Sequence, residues 1–313
     1  MKEKVVVTGG AGFIGSYLST KLAENGYDVI IYDDFSNASG RANLPKGAKI
    51  IKKSILDFSS LKSCFKSVNT VFNLAVKPLP MSFNKPEEVM QVNDYGTYLI
   101  CKACTELKRK LVHISSSEAY GTAQYTPMDE SHPTNPSTIY AASKAASESY
   151  VKAFELTDGL KAVIIRPFNS YGPFMRDDIY AAALPKFYNR LSKKLPPIIF
   201  GDGNQTRDFT FAADIAYGMI LANENSAAIG DVFNIAQGRE LSIKKMAKIM
   251  IKKYSQITNQ EKTSDLQFQK PRKGDVKRHF ADISHAKKIL GYKPKISFEE
   301  GVEKYIKWKL GTN

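Results

Sequence analysis

The stretch that decides the fold reads Val5-Val6-Val7-Thr8-Gly9-Gly10-Ala11-Gly12-Phe13-Ile14-Gly15. Its β-branched residues predict a short buried strand, and the glycines that follow predict a tight turn. Residues 16–25 carry apolar side chains at helical spacing, and residues 29–32 predict a second buried strand. A chain that runs strand, turn, helix, strand favours parallel strands joined by right-handed crossovers.

The same alternation continues along the chain. Further strands are predicted at residues 49–52, 70–74, 110–115, 162–166 and 232–235. Helices are predicted near residues 58–67, 87–108, 140–156, 212–223 and 242–254. We therefore predict an α/β fold, a Rossmann-type doubly wound parallel sheet with a smaller C-terminal lobe.

The regular alternation loosens after residue 166, and this sets the predicted domains. Residues 1–166 form the sheet domain, to which residues 212–235 return. Residues 167–211 and 236–313 form the smaller lobe, where a polar stretch at 255–262 predicts a loop.

The glycine turn has the spacing of a dinucleotide-binding loop. Gly9, Gly12 and Gly15 allow a tight turn and let the backbone approach a pyrophosphate, which the N-terminus of the next helix attracts. Asp33 ends the second strand, 18 residues after Gly15, where its carboxylate can accept hydrogen bonds from the adenosine ribose. The same carboxylate would repel a 2′-phosphate. The sequence therefore predicts NAD rather than NADP, bound by the sheet domain.

Composition and charge narrow the class of protein. The 313 residues are 43% hydrophobic and 24% charged, which excludes disorder, a collagen-like fibre and a disulfide-stapled mini-protein. From residue 239 onward 19 basic residues stand against 8 acidic ones, which gives +11 of the net charge of +14. A basic lobe can attract nucleic acid, anionic lipid or a phosphorylated small molecule. No signal peptide and no run of membrane-spanning length is recognised, so we expect a cytosolic protein without a membrane partner.

The cysteines raise the question of a metal or redox site. Cys101 and Cys104 form a CxxC pair, but no second pair of ligands follows at matching spacing, and the four histidines are scattered. We therefore predict two buried helix cysteines one turn apart, and no metal.

A tyrosine and a lysine form the candidate catalytic pair. Tyr140 and Lys144 lie one helical turn apart, but three other tyrosines of the chain share this spacing, so the spacing alone means little. Only this pair follows a strand that ends in the hydroxyls of residues 115–117, and ligands bind at the carboxyl ends of parallel strands. A nearby cation favours the phenolate, so Tyr140 is predicted to act as a base.

Six motifs in order resemble the extended short-chain dehydrogenase/reductase family, and within it the nucleotide-sugar epimerases, dehydratases and decarboxylases. The resemblance covers nearly the whole chain. The motifs are GGAGFIG at 9–15, SSSEAYG at 115–121, YAASK at 140–144, RPFNSYGP at 166–173, GDGNQTRDF at 201–209 and PRKGDVKRHFADISHAKKILGYKP at 271–294.

The resemblance implies a role for each matching catalytic residue. Tyr140 would take the proton of the sugar 4-hydroxyl while C4 gives a hydride to the nicotinamide, and Ser116 would bond the same hydroxyl. Lys144 would hold the nicotinamide ribose and lower the pKa of Tyr140. The implied coenzyme set is Gly9, Gly12, Phe13, Ile14, Gly15, Asp33, Asn37, Ser54, Ile55, Leu74, Ala75, Asn93, Tyr140 and Lys144.

The resemblance also implies a substrate site in the smaller lobe. Asn169, Arg207 and Arg272 match positions that contact a sugar diphosphate, Asp275 one near the nucleotide ribose, and Phe200 one that packs on the base. Arginines meet phosphates by forked, charge-assisted hydrogen bonds. The implied substrate set is Ser116, Ser117, Asn169, Phe200, Arg207, Arg272 and Asp275.

Two departures from the family pattern affect these sites. Ser54-Ile55 stands where relatives often have an aspartate that contacts the adenine. Val76 and two prolines, Pro78 and Pro80, stand in a loop that lies near the sugar in relatives, so this loop is expected to reshape specificity.

Glu118 is the residue that discriminates between reactions. All members first oxidise C4, and the 4-keto group acidifies C5–H, so a base there permits elimination of the 6-hydroxyl. Glu118 resembles the glutamate of dehydratases and decarboxylases, whereas Ser117 leaves the acid for the departing hydroxyl unidentified. We rank an NDP-hexose 4,6-dehydratase first, a 4-epimerase second and a uronate decarboxylase third.

A non-enzymatic alternative remains beside these reactions. Some members of the fold are NAD-bound regulators or RNA-binding proteins, and the basic C-terminal region would suit RNA. Intact Ser116, Tyr140 and Lys144 favour the enzyme, and no aromatic RNA-binding signature is present. We therefore expect a UDP-sugar as the partner rather than nucleic acid. By resemblance we expect a homodimer formed through the helices at 87–108 and 140–156.

Overall fold

The computed structural model describes residues 3–178, 182–260, 265–271 and 276–312. Seven parallel strands form its central sheet in the order β11, β6, β5, β4, β1, β2, β3. They are β1 Lys4–Thr8, β2 Asp28–Tyr32, β3 Lys49–Ile51, β4 Thr70–Asn73, β5 Lys110–Ile114, β6 Ala162–Pro167 and β11 Val232–Ile235. This confirms the predicted Rossmann-type α/β fold.

Ten α-helices lie within the described residues. They are α1 Phe13–Glu24, α2 Phe58–Phe65, α3 Pro86–Val89, α4 Gly96–Leu107, α5 Ile139–Asp158, α6 Ala183–Leu191, α7 Ala212–Glu224, α8 Ile243–Thr258, α9 Ser284–Leu290 and α10 Phe298–Leu310. A π-helical stretch, Met90–Tyr95, joins α3 to α4, so the helix predicted at 87–108 is continuous but not regular. None of the described helices has the length and apolar character that crossing a membrane requires.

Successive side chains of each strand contribute to two cores, one on each face of the sheet. Val5 and Val7 pack with residues of α1 and α7 on one face, whereas Val6 packs with residues of α2 and α4 on the other. Side chains of successive strand residues point to opposite faces, so an apolar run can fill both cores. The triple valine that the sequence places before the glycine turn therefore belongs to a strand covered on both sides.

A third core lies in the C-terminal region and joins α6, α8 and α10. Short strand pairs flank it: β7 Ser170–Tyr171 with β10 Thr210–Phe211, β9 Thr206–Arg207 with β12 Leu241–Ser242, and β8 Ile198–Phe200 with β13 Gln267–Gln269. The loop predicted at 255–262 is wrong over its first four residues, because α8 continues to Thr258. Buried Tyr254 packs edge-on against Tyr188 and ties this last turn to the core.

Candidate functional site

A cavity of about 380 Å³ opens at the carboxyl ends of the central strands. Its wall is built by the glycine turn, by the segments that follow β2, β4, β5 and β6, and by the first turns of α5. The predicted coenzyme residues that line it are Gly9, Gly12, Phe13, Ile14, Gly15, Asp33, Asn37, Ser54, Ile55, Leu74, Ala75, Tyr140 and Lys144. Asn93 lies behind this wall.

The glycine turn presents bare backbone to the cavity. Gly9 adopts a positive φ of +67°, and a Cβ on Gly15 would lie 2.1 Å from the carbonyl oxygen of Gly9, so both positions require glycine. No side chain caps the start of α1, and its first turn holds no acidic residue. The free N–H groups and the positive end of the helix dipole therefore remain available to a phosphate.

Asp33 lies beside the glycine turn in the wall of the same cavity. One carboxylate oxygen accepts the backbone N–H of Ala11 at 2.9 Å and the other accepts that of Phe35 at 2.7 Å. Burial raises the pKa of Asp33, and these two hydrogen bonds act in the opposite direction. Each oxygen keeps a further lone pair for a ribose hydroxyl. The bare glycine turn and this carboxylate together fit NAD.

Lys144 is held in the wall of the cavity by the strand beneath it. Its ammonium is buried and donates to the carbonyl oxygen of Ile114, the last residue of β5, at 2.6 Å. Burial lowers the pKa of Lys144 to about 8, and the negative charges of Glu148 and Asp94 oppose this shift.

Tyr140 precedes Lys144 by one turn of α5 and lines the same cavity. Burial raises its pKa to about 12, a hydrogen bond with Ser116 lowers it, and the charge of Glu118 raises it. Burial thus outweighs the lowering that we expected from Lys144, whose ammonium is engaged with Ile114.

Glu118 faces the same cavity from the turn Ser117–Tyr120. The hydroxyl of Ser116 accepts the backbone N–H of Glu118 at 3.2 Å and so caps this turn. Burial raises the pKa of Glu118, while the positive charge of Arg207 lowers it. A carboxyl group with a raised pKa beside Tyr140 is suited to exchanging a proton with a bound molecule.

The predicted substrate residues fall into three groups. Ser116, Ser117 and Asn169 line the cavity. Arg207, on β9, lies outside the lining and donates to the carbonyl oxygens of Thr206 and Val276 at 2.8 and 2.7 Å. Phe200 ends β8 and is also outside the lining. Arg272 and Asp275 lie outside the described residues.

Asn93 supports the site from the π-helical stretch. Its side-chain oxygen accepts the backbone N–H of Lys77 at 2.8 Å, and its nitrogen donates to Ser143 of α5 at 3.0 Å. Asn93 therefore ties the loop after β4 to the helix that carries Tyr140.

Arg176 and Lys77 are among the cavity residues that the predicted site sets leave out. Arg176 donates to the side chain of Asn37 at 2.8 Å, and Lys77 donates to Ser36 at 2.8 Å. Arg176 follows the motif at 166–173 by only three residues, which was the available signal. Its contact with a loop 139 residues away carries no signal in a single sequence.

The prediction of two buried helix cysteines one turn apart is confirmed. Cys101 and Cys104 are buried in α4, and burial raises the pKa of both thiols. Among the described residues no group of three or more His, Cys, Asp or Glu side chains is arranged to hold a metal ion.

Comparison with known proteins adds sequence and structural relatives. The family model described as GDP-mannose 4,6 dehydratase matches residues 6–305. A provisionally named UDP-glucose 4-epimerase of Methanocaldococcus jannaschii is 35% identical over 99% of both chains. The structure of a UDP-N-acetylglucosamine 4-epimerase of Methanobrevibacter ruminantium, in complex with UDP-N-acetylmuramic acid, is 33% identical with a TM-score of 0.91 over all of both chains.

Other relatives carry different reaction names. A UDP-glucuronic acid 4-epimerase of Bacillus cereus, solved with its sugar nucleotide and NAD, is 30% identical with a TM-score of 0.87 and covers 99% of this chain and 100% of its own. A UDP-N-acetyl-α-D-glucosaminuronate decarboxylase of Bacillus cytotoxicus is 31% identical over 98% of both chains. Human dTDP-D-glucose 4,6-dehydratase is 29% identical over 98% of this chain and 89% of its own.

Proposed function

Because the chain belongs to the GDP-mannose 4,6-dehydratase family of NAD-dependent nucleotide-sugar enzymes, we propose that it is an NDP-hexose 4,6-dehydratase. The choice of a dehydratase over an epimerase or a decarboxylase rests on Glu118. It lies on the cavity that Tyr140 and Lys144 also line, and burial raises its pKa toward the range of a proton-transfer group.

The first step is oxidation of the sugar at C4. Tyr140 takes the proton of the 4-hydroxyl as the C4–H bond breaks, and Ser116 orients that hydroxyl. The glycine turn, the start of α1 and Asp33 hold NAD, which supplies the hydride acceptor. Lys144 places a positive charge beside the phenol, and this charge stabilises the phenolate that forms at Tyr140.

In the second step Glu118 acts as the base. The new 4-keto group acidifies C5–H, and Glu118 removes that proton as the 6-hydroxyl departs with a proton, so that one water is lost. Ser117, the neighbour of Glu118, provides no acid for the departing oxygen. Glu118 would return its proton to C5, and a hydride from the reduced coenzyme would add to C6, so that the product is a 4-keto-6-deoxy sugar.

A 4-epimerase is the second candidate. Two observations support it: the relatives from Methanocaldococcus jannaschii and Methanobrevibacter ruminantium are named as epimerases, and Ser117 lacks the acid. In that reaction the 4-keto sugar turns over in the cavity and is reduced on its other face, and Glu118 only orients its neighbours. A uronate decarboxylase is the third candidate, because a C5 carboxylate would be lost from the same intermediate as carbon dioxide.

The substrate we propose is a UDP-sugar, since the epimerase structures of Methanobrevibacter ruminantium and Bacillus cereus hold UDP-linked ligands. Arg207 and Arg272 would take its diphosphate. The predicted division into a coenzyme domain and a sugar-nucleotide lobe remains part of this proposal.

We also propose a homodimer. Tyr95, Tyr98 and Tyr150 form an aromatic face on α5 and on the helix that begins with the π-helical stretch, with ring centroids 5.9 and 6.2 Å apart. Tyr95 is 55% exposed and Tyr150 38% exposed. Large exposed aromatics on neighbouring helices are typical of an interface.

Incubation with UDP-, GDP-, CDP- and dTDP-hexoses, read by mass spectrometry and NMR, tests the reaction. We expect a product lighter by one water. Loss of carbon dioxide would identify a decarboxylase, and unchanged mass with altered proton couplings at C4 an epimerase. Salt-sensitive RNA binding without turnover of any sugar nucleotide would overturn the enzymatic proposal.

A further inference from the structure

Three polar side chains lie side by side at the carboxyl ends of neighbouring strands. Thr8 of β1 is in register with Asn73 of β4, and Asn73 with His113 of β5. All three point to the sheet face covered by α4 and α5, since the residues two positions earlier on each strand belong to the core on that face. Each is at most 1% exposed, so each needs a hydrogen-bond partner.

We call Thr8, Asn73 and His113 the buried row. Each hydrogen bond in it has its donor on the Thr8 side and its acceptor on the His113 side. Thr8 Oγ1 donates to Asn73 Oδ1 at 2.8 Å, so the amide nitrogen of Asn73 lies on the other side. That Nδ2 is 3.1 Å from His113 Nδ1, and because an amide nitrogen only donates, Nδ1 must accept. His113 therefore carries its proton on Nε2, which lies 3.0 Å from Ser147 Oγ. The Ser147 hydroxyl donates in turn to the carbonyl of Lys144 at 2.7 Å.

The row ends on the helix that bears the catalytic pair. His113 reaches α5 through Ser147, and the next residue of β5, Ile114, accepts the ammonium of Lys144 at 2.6 Å. Two consecutive residues of one strand thus bond to one turn of α5. A rotation or a slide of the helix along the sheet would break both hydrogen bonds at once.

We propose that His113 is a positioning residue for hydride transfer: through Ser147 it fixes the turn of α5 that presents Tyr140 and Lys144 to the cavity. The inference rests on the roles proposed above for Tyr140 and Lys144. It concerns the oxidation at C4, which the three candidate reactions share, and so it does not depend on the choice among them.

Only neutral His113 fits the row. A proton on Nδ1 would meet the N–H groups of Asn73, and within the described part of the chain Lys144 is the charged group that acts on the ring. Asn73, Ser147 and Thr97, which lies 3.4 Å from the Asn73 nitrogen, are neutral. Burial and the positive charge of Lys144 hold the pKa of His113 well below its usual value. The positioning is therefore constant over the neutral and alkaline range.

Ser147→Ala is the central variant, because alanine suits a helix and only the hydroxyl is lost. Ser149→Ala is its matched control: Ser149 is exposed on the same helix, and its hydroxyl donates to the carbonyl of Ala145 at 3.1 Å. The probe is the panel hexose nucleotide that reduces bound NAD fastest, followed by NADH absorbance in a single turnover. We expect Ser147→Ala to slow this reduction about tenfold with unchanged KM, and Ser149→Ala to leave it unchanged.

The pH profile of that reduction separates positioning from loss of stability. If α5 shifts, Tyr140 moves relative to Ser116, whose hydrogen bond lowers the pKa of Tyr140, so the rising limb moves up by about one unit in Ser147→Ala. A merely less stable protein, checked by its urea midpoint, would keep the limb in place. Equal rates and equal profiles in Ser147→Ala and Ser149→Ala would overturn the proposal.

A double-mutant cycle with His113→Phe tests whether both residues act through one hydrogen bond. We expect the double variant to be no slower than the slower single variant, because the same contact is lost once. If the double variant is slowed by the product of the two single effects, the proposal is contradicted. If His113→Phe fails to fold, the comparison of Ser147→Ala with Ser149→Ala is the test. If Tyr140→Phe keeps full NAD reduction, the proposed function fails instead, and that result is distinct.

The ring itself gives a readout that needs no substrate. Nitrogen-15 NMR of the four histidines should show a neutral ring protonated on Nε2 whose signal vanishes in His113→Phe. A His113 ring protonated on Nδ1 would contradict the hydrogen bond in which Asn73 donates to His113.

Discussion

Tyr140 is the residue whose hydroxyl takes the substrate proton in the proposed reaction. Tyr140→Phe removes that oxygen and keeps the ring, so we expect NAD to stay bound while kcat falls by about 10²–10⁴-fold. Tyr98→Phe is the control, since Tyr98 has a lysine at the same spacing but lies on the outer face of α4. Stopped-flow NADH absorbance measures both variants. A Tyr140→Phe enzyme with normal turnover would remove the proton-transfer role.

Glu118 separates the proposed dehydratase from an epimerase. Glu118→Gln keeps the shape of the side chain but cannot accept a proton, so C4 oxidation should continue while exchange of the C5 proton stops. Turnover in D₂O, followed by NMR of the recovered sugar, reports the exchange, and NAD reduction in the same variant is the control. Deuterium at C5 in Glu118→Gln at the wild-type rate would assign the base elsewhere.

The glycine turn before α1 allows a prediction at the level of the element. Gly15→Ala would place a Cβ 2.1 Å from the carbonyl oxygen of Gly9, so the turn must move away from the helix. We expect the variant to lose NAD on dialysis and to melt at a lower temperature. Gly47→Ala is the control, because its Cβ meets nothing within 4 Å and its positive φ costs only about 1–2 kcal/mol. Equal NAD retention in the two variants would contradict a packing role for Gly15.

The elements that could be predicted from the sequence are those whose signal is local. The strand, glycine turn and helix of residues 5–24 show their period directly, and Asp33 follows from the spacing within one βαβ unit. The row of Thr8, Asn73 and His113 could not be predicted, because it depends on the register of three strands that are 65 and 40 residues apart in the chain. The contacts of Arg207 with carbonyl oxygens were missed for the same reason.

At the scale of the whole molecule, Asp208 holds three segments of the chain together. Its carboxylate accepts backbone N–H groups of Gln237, Gly238 and Ala281, at 3.0, 2.9 and 3.4 Å. Asp208→Asn turns an amide donor toward these donors, so we expect a loss of about 1–3 kcal/mol in the free energy of unfolding, measured in urea. An unchanged urea midpoint would show that the hydrogen bonds to the Asp208 carboxylate are not needed for stability.

The difference in the free energy of unfolding between the wild type and Asp208→Asn should change with pH in one direction. Burial raises the pKa of Asp208 to about 7, above its ordinary value of 3.8. The folded state therefore binds the proton more tightly, and the stability this group contributes at low pH is lost as the pH rises from about 4 to about 7. Asp208→Asn cannot titrate, so the stability gap between it and the wild type should narrow over this window. A gap that widens toward pH 7 would mean that the hydrogen bonds outweigh burial.

Assembly gives the last prediction at this scale. A stable dimer buries at least about 1,200 Å², and the face of Tyr95, Tyr98 and Tyr150 offers rigid aromatic anchors for such an interface. We expect a dimer by light scattering, and a monomer when Tyr95→Glu and Tyr150→Glu are combined, because two carboxylates would be buried without partners. Phe268→Glu is the control, since Phe268 is 50% exposed on β13 in the C-terminal region. If the double variant stays dimeric, the copies meet through another face.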